Sequence, residues 1–215
     1  MLFRSAVILA AGKSERMGAP KVLQSFLGES FLSRIAAALR AAGVERIVLV
    51  LGHQAAQLQT QLPSVVGLQV VTNHDYEAGQ FSSLQAGMRA LPPQCAGTLL
   101  CLIDQPHLFA STYQQILSSA RSAPTQVVIP IYNCHRGHPL YLPARLFAEI
   151  LQANAADSLS RLCSISRLRS IKLRNILAQK PEQITTVAVA DPGILEDIDT
   201  PADLHRLEQL YPLSP

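Results

Sequence analysis

The stretch that decides the fold is residues 9–21, LAAGKSERMGAPK, which directly follows the apolar residues 6–8. Gly12 and Gly18 allow a loop to bring backbone N–H groups close to phosphate oxygens, and Lys13, Arg16 and Lys21 add positive charge. The glycine and lysine spacing does not match the Walker sequence G-x-x-x-x-G-K-[ST]. The stretch therefore predicts either a different kind of anion-binding loop or a solvated turn with incidental charge.

Short apolar runs alternate with helix-length segments through the first 130 residues. Runs without polar alternation are typical of strands that are covered on both faces. The runs are residues 6–9, 47–51, 68–71, 99–103 and 127–129, and the helical faces are marked by Phe31, Ile35 and Leu39 and by Phe81, Leu84, Met88 and Leu91. This alternation predicts an α/β fold, a Rossmann-like three-layer α/β/α sandwich with a mostly parallel sheet.

The chain has 215 residues, which is enough for one sizeable core and short for two domains. We expect a single domain over residues 1–215, with a nucleotide-binding half at about 1–130. The acceptor-binding half is then 131–215 and includes a closing helix from Thr200. In open α/β sheets, ligands bind where loops leave the carboxyl ends of the strands. The loop over residues 9–21 and the turn at Asp104 are therefore the candidate site.

Composition excludes several classes of protein. A net charge of +3 and only 5% aromatic residues disfavour a nucleic-acid partner. The apolar run at the N-terminus breaks at Gly12, which is early for a secretory signal, and no other run reaches bilayer length. The four cysteines form no C-x-x-C pair, so neither a zinc knuckle nor a disulfide framework is indicated. We expect a cytoplasmic protein with no membrane partner.

Acidic residues in two distant places suit a metal site. Asp104 ends the apolar run 99–103, where its carboxylate either bonds locally to the backbone or holds Mg²⁺ against a triphosphate. In the sequence DIDTPADL, Thr200 and Asp203 are typical of a helix start, which leaves Asp197 and Asp199 unexplained by capping. One of these two carboxylates is expected to face Asp104 across the cleft.

The segment 79–87, GQFSSLQAG, places Ser82 and Ser83 at the opening of an amphipathic helix. One serine is expected to cap that helix. The free N–H groups of a helix N-terminus also suit a ribose or a base.

Five motifs in order resemble those of the MobA-like NTP transferases, and the molybdenum cofactor cytidylyltransferase branch in particular. They are LAAGKSERMGAPK, GQFSSLQAG, DQP at 104–106, RGHP at 136–139 and DIDTPADL at 197–204, and they span nearly the whole chain. LAAG, where the guanylyltransferase branch has LAGG, favours CTP. The resemblance implies a nucleotide-diphospho-sugar transferase-like sheet and transfer of CMP from Mg-CTP to the terminal phosphate of a pterin cofactor, with release of pyrophosphate.

The resemblance also implies roles for individual residues. Catalysis falls to Arg16, Lys21 and Asp104, and Mg²⁺ to Asp104 and Asp199. The nucleotide is assigned to Leu9, Ala10, Ala11, Gly12, Lys13, Lys21, Ser82, Ser83 and Asp104, and the acceptor to His138, Asp157 and Arg161. The family's Gly-Asp-x-Gly-Ala-Arg segment corresponds here to residues 156–161, ADSLSR, which keeps an Asp and an Arg but lacks both glycines.

Residues 158–181 contain no acidic side chain. This basic stretch is a solvated face, a wall around a phosphorylated acceptor, or a docking surface for an acidic partner such as a molybdoenzyme. Two alternatives to a cytidylyltransferase stay open: a guanylyl- or adenylyltransferase, and a non-catalytic carrier of the cofactor.

Overall fold

The computed structural model describes residues 3–153, 173, 176, 177 and 181–211. Its strands are β1 (Phe3–Ala10), β2 (Ser25–Phe26), β3 (Glu29–Ser30), β4 (Arg46–Leu51), β5 (Leu68–Thr72), β6 (Cys95–Leu102), β7 (Val127–Tyr132), β8 (His135–Arg136), β9 (Leu140–Pro143) and β10 (Ile184–Ala188). Its α-helices are α1 (Phe31–Ala41), α2 (Ala55–Gln59), α3 (Gln80–Arg89), α4 (Ala110–Ser122), α5 (Phe147–Gln152) and α6 (Pro201–Leu210). The predicted Asp157 and Arg161 lie outside the described residues.

The main sheet of the described residues has eight strands and is mostly parallel. Seven run in the order β10-β7-β9-β6-β1-β4-β5, and β8 pairs with β7. Strand β1 is parallel to both β4 and β6, whereas β9 is antiparallel to its neighbours β6 and β7. The predicted α/β sandwich is confirmed, with the antiparallel β9 as an addition that the strand–helix alternation did not indicate.

Alternate residues of β1 face two separate hydrophobic layers. Val7 and Ile8 are both fully buried, but Ile8 packs into the layer that contains α1 and α4, and Val7 packs into the layer that contains α3 and α5. Burying a side chain of this size stabilises the fold by about 1.5–3 kcal/mol. Helices therefore cover both faces of β1.

Helix α6 begins with the predicted cap. The Thr200 side chain accepts a hydrogen bond from the Asp203 backbone, the Asp203 side chain accepts from the Thr200 backbone, and Pro201 occupies the first turn. The Asp203 pKa is lowered, chiefly because its carboxylate accepts a hydrogen bond from the Thr200 side chain. This capping box ends the preceding segment at a defined point and so orients Asp199. Among the residues that the structure describes, no helix combines the length and apolar character needed to cross a membrane.

Buried His107 is expected to make the fold acid-sensitive. Desolvation lowers its pKa below the ordinary 6.5, against the opposing effect of a hydrogen bond to the Gly193 carbonyl. As the pH falls through 6.5, His107 becomes protonated in the unfolded chain while it stays neutral in the folded chain. The free energy of unfolding therefore decreases. Urea unfolding between pH 7.5 and 5.5 should show a shallower decrease in His107→Gln than in the wild type. Equal slopes in His107→Gln and in the exposed-site control His74→Gln would contradict this assignment.

A cleft with a paired-carboxylate and lysine cluster

The loop after β1 is anchored at both of its ends. Met17 is buried in the layer beside α1, and the Lys21 backbone N–H donates to Ser14 Oγ at 3.3 Å. Ser14 and Gly18 adopt left-handed conformations, with φ of 54° and 74°, on either side of a 3-10 turn. Gly12 and Lys13 are exposed between the strand and this turn. The loop therefore presents its glycine and basic residues to the carboxyl edge of the sheet.

Four charged side chains from distant parts of the chain meet at this edge. Lys21 Nζ lies 3.1 Å from Asp104 Oδ2 and 2.6 Å from Asp199 Oδ1. Arg16 Nη2 lies 3.0 Å from Asp199 Oδ2. The side chains of Lys21, Asp104 and Asp199 are only 11%, 7% and 15% exposed, whereas that of Arg16 is 67% exposed. Two carboxylates and two cations thus balance each other, and one ammonium group lies between both carboxylates.

The two carboxylates fit a divalent cation that arrives with a phosphate ligand. Oxygens of Asp104 and Asp199 already converge on one cationic nitrogen, and Mg²⁺ is commonly bound by one or two carboxylates together with substrate phosphates. No group of three or more His, Cys, Asp or Glu residues that could hold a metal occurs within the described part of the chain. The protein ligands here are therefore too few for an all-protein metal cage and suited to a metal–phosphate complex.

A cavity of about 480 Å³ opens beside this cluster. It lies between the loop after β1, the end of β6 and the start of α3. The predicted residues that line it are Leu9, Ala10, Ala11, Gly12, Lys13, Arg16, Lys21, Ser83, Asp104 and Asp199. A volume of this size is typical of sites for small molecules and cofactors.

Helix α3 begins at this cavity, without the serine cap that the sequence analysis expected. Its N-cap is Gly79, with φ of 98° and no side-chain cap, so the prediction of a serine cap is wrong. Ser82 is buried, shares its hydroxyl proton between the Asp75 and Gly79 carbonyl oxygens, and is not among the cavity-lining residues. Ser83 does line the cavity and accepts a hydrogen bond from Asn73 Nδ2. The positive end of the α3 dipole consequently faces the cavity.

Two further predictions concern residues near the cluster. Asp199 contacts Lys21, whereas the Asp197 Oδ1 atom accepts a hydrogen bond from Gln105 Nε2 at 3.1 Å. His138 is 5% exposed, its backbone N–H donates to the Ile194 carbonyl at 3.2 Å, and it is not among the residues that line the cavity. The structure therefore brings Asp199 to Asp104 but leaves the acceptor role of His138 a prediction.

Residues on the 3-10 turn before α3 also reach the cavity, although no motif drew attention to them. Tyr76 lines it, and its hydroxyl lies 3.4 Å from His53 Nδ1. Glu77 Oε1 lies 3.2 Å from Lys13 Nζ, and this contact raises the Lys13 pKa. A single aromatic or acidic residue in a loop carries no spacing signal, so only the fold shows that these residues belong to the site.

Glu77→Gln is expected to tighten nucleotide binding by about two- to five-fold, the modest effect typical of an exposed ion pair. In this variant Lys13 can bind a phosphate oxygen without first breaking its ion pair with Glu77. Isothermal titration with a Mg²⁺–nucleotide measures this change, and the exposed Glu182→Gln is the matched control. Weaker binding in Glu77→Gln would instead show that Glu77 itself supports the ligand.

The sheet order, the glycine-containing loop after β1, and the carboxylates of Asp104 after β6 and Asp199 before α6 define a Rossmann-like α/β protein with a charged cavity at the carboxyl edge of its sheet. The MobA-like NTP transferase domain matches residues 6–173. The chain belongs to this family.

Individual relatives carry different names. The chain is 28% identical over 211 residues to nicotine blue oxidoreductase of Paenarthrobacter nicotinovorans, covering 94% of this chain and 95% of that protein. It is 25% identical to Rv0371c of Mycobacterium tuberculosis, solved in complex with manganese, with a TM-score of 0.71 and coverage of 97% and 98%. The fold is shared by a nucleotidyl transferase of Methanothermobacter thermautotroptrophicus. The two chains are 23% identical, with 97% coverage of each and a TM-score of 0.76.

Proposed function

We propose that this protein is a Mg²⁺-dependent nucleotidyltransferase that transfers CMP from CTP to the terminal phosphate of the molybdenum–pterin cofactor. The observation that carries the proposal is the Lys21 ammonium between Asp104 and Asp199, beside a cavity lined by the loop after β1. The manganese in the related Rv0371c structure supports a divalent metal. LAAG at residues 9–12 and the motif order support CTP and the pterin acceptor.

The reaction needs charge neutralisation more than proton transfer. An oxygen of the acceptor phosphate forms a bond to the α-phosphorus of CTP, the bond from that phosphorus to the α,β-bridging oxygen breaks, and pyrophosphate leaves with that oxygen. The acceptor phosphate is already anionic at neutral pH, so no histidine base is required. A divalent cation bound by the carboxylates supplies electrostatic stabilisation of the phosphate oxygens. Positioning and preorganised positive charge supply the rest of the rate enhancement.

Cavity-lining residues and residues outside that lining have different roles in this reaction. The exposed backbone of Gly12 and the Lys13 side chain approach the β- and γ-phosphates, and Arg16 neutralises the departing pyrophosphate. Asp104 and Asp199 would hold the metal, and Lys21 would then be released from these carboxylates to contact the α-phosphate. Ser83 contacts the nucleoside, and Ser82 keeps the adjoining backbone in place through its bonds to Asp75 and Gly79. His138, Asp157 and Arg161 contact the acceptor.

The first test is thermal stability of the purified protein with CTP, GTP, ATP or UTP, each with and without Mg²⁺. A ligand that binds only the folded state raises the apparent stability by mass action. The expected result is a metal-dependent shift that is largest with CTP, lost in Asp104→Ala and kept in the exposed-site control Glu29→Gln. A larger shift with GTP or ATP would assign a guanylyl- or adenylyltransferase.

Pyrophosphate release with the pterin acceptor then tests catalysis directly. Release that requires CTP, metal and acceptor together supports the proposal. Binding of CTP without any pyrophosphate release would favour a non-catalytic carrier of the cofactor.

A redox enzyme is the second candidate, favoured by the 28% identity over almost the whole chain with nicotine blue oxidoreductase. A dinucleotide or flavin cofactor also carries phosphate and would suit the same loop. The stability assay therefore includes NADH, NADPH, FAD and FMN. A shift with one of these and none with any triphosphate would favour the redox function.

A further inference from the structure

The loop that carries Asp104 is paired along its length with the segment that carries Asp199. The Ile198 backbone N–H donates to the Asp104 carbonyl at 2.9 Å. Further along, His107 Nε2 lies 3.1 Å from the Gly193 carbonyl oxygen. At the far end, the Asp191 carboxylate accepts from the Phe109 backbone and from the Thr112 hydroxyl. Residues 104–109 and 191–199 therefore run antiparallel, and the two carboxylates lie at the same end of this pairing.

Within this pairing, Gln105 makes side-chain contacts close to the two carboxylates. Its side chain is buried, and Nε2 lies 3.1 Å from both the Glu196 carbonyl oxygen and Asp197 Oδ1. Gln105 follows Asp104 directly, and Asp197 precedes Asp199 by two residues. One carboxamide thus connects the backbone next to one carboxylate with the backbone next to the other. The Ile198–Asp104 backbone hydrogen bond and the Lys21 ammonium also connect the two segments.

We propose that Gln105 is a positioning residue: its carboxamide sets the separation of Asp104 and Asp199, and thereby the affinity of the site for a divalent cation. The inference rests on the proposed metal-dependent function. Mg²⁺ requires oxygen ligands close to 2.0–2.1 Å in near-octahedral geometry, so a shift of about 1 Å in one carboxylate removes it as a ligand. Loss of groups that orient metal ligands typically lowers metal affinity or activity by about 10–100-fold.

Mn²⁺ alone, titrated into the metal-free protein and followed by electron paramagnetic resonance, tests this without any turnover. Gln105→Met keeps the side-chain length but removes both N–H donors. We expect its Mn²⁺ dissociation constant to rise by about ten-fold or more. Gln105→Asn keeps the carboxamide on a shorter stem and should change the constant in the same direction, which guards against a folding failure of the Met variant.

Thr112→Val is the matched control, because it removes a buried hydrogen bond of 2.6 Å at the other end of the same pairing. It should lower thermal stability yet leave the Mn²⁺ dissociation constant within about two-fold of the wild-type value. Substitutions at distant sites that share no partners have independent effects. A merely structural role for Gln105 would change the constant equally in both variants, and that result would overturn the proposal.

Mn²⁺ titration distinguishes a failure of the Gln105 positioning role from a failure of the metal site itself. Mn²⁺ binding that is lost in Asp104→Ala but unchanged in Gln105→Met overturns the role of Gln105 and leaves the metal site intact. Wild-type protein that binds no Mn²⁺, or binds it equally in Asp104→Ala, overturns the metal site and the positioning role together.

Discussion

Lys21→Met is expected to abolish most catalysis while it strengthens metal binding. Removing one preorganised electrostatic group typically lowers kcat by about 10²–10³. The Lys21 ammonium also competes with a metal for the same two carboxylates, at 3.1 Å from Asp104 and 2.6 Å from Asp199. Its loss removes the cation that lies between the two carboxylates, and an incoming divalent cation takes that position without displacing an ammonium group.

Three measurements on Lys21→Met separate the two effects. Pyrophosphate release reports the loss of turnover, Mn²⁺ titration reports the tighter metal binding, and thermal unfolding reports stability. Breaking a largely buried ion pair costs about 3–5 kcal/mol, so the metal-free variant should be clearly destabilised, and Mn²⁺ should stabilise it more than it stabilises the wild type.

Arg206→Met is the control for Lys21→Met. It also removes a cation from an ion pair, with Glu196, but both side chains are more than 40% exposed. Such pairs contribute little, so all three measurements should stay near those of the wild type. Weaker Mn²⁺ binding in Lys21→Met would contradict competition and show instead that Lys21 holds the carboxylates in place for the metal.

Asp104→Asn and Asp199→Asn are each expected to lower metal-dependent transfer by at least about 10²-fold, because each removes a charged ligand from the metal. The two carboxylates act as a unit, so the double variant should lose little more than either single variant. Steady-state kinetics across a range of Mg²⁺ concentrations measure this. Glu29→Gln, an exposed carboxylate outside the cavity lining, is the control. Losses that multiply in the double variant would show that the residues act separately.

Stability should distinguish these variants from Lys21→Met. In Asp104→Asn the ammonium keeps its 2.6 Å contact with Asp199, so one ion pair survives. In Asp199→Asn both Lys21 and Arg16 lose a charged partner. We therefore expect Asp104→Asn to be the more stable of the two in thermal unfolding. The reverse order would mean that Asp104 neutralises more of the positive charge than the contact distances indicate.

Local pattern predicted a large part of the fold. The apolar runs at residues 6–9, 47–51 and 68–71 each fall within an observed strand. The first two lie in strands buried on both faces, which have to be apolar, whereas 68–71 lies in the partly buried edge strand β5. The capping box at Thr200 was equally readable, since its contacts join residues three positions apart. By contrast, the position of β9 between β6 and β7 depends on long-range pairing, which no local pattern contains.

In the candidate site, too, some features follow from local sequence and others depend on long-range contacts. The glycine loop and Asp104 stand at the ends of apolar runs and were found from position alone. The choice between Asp197 and Asp199 was open in the sequence, because both precede the same helix with the same side chain. In the structure, Asp197 contacts Gln105, whereas Asp199 contacts Lys21 beside Asp104, and the assignment of Asp199 to the metal stays a prediction. The proposed division into residues 1–130 and 131–215 stays a prediction.

The sequence by itself determined the class of fold, the position of the glycine-containing loop at residues 9–21 and the order of the motifs, because these depend on neighbouring residues and on the periodicity of strands and helices. Only the tertiary structure decided which charges share the cavity: Lys21 with Asp104 and Asp199, and Lys13 with Glu77. Lys21 and Asp199 are 178 positions apart along the chain. Their contact is set by the packing of the sheet and by the pairing of residues 104–109 with 191–199, and side-chain identity alone does not specify it.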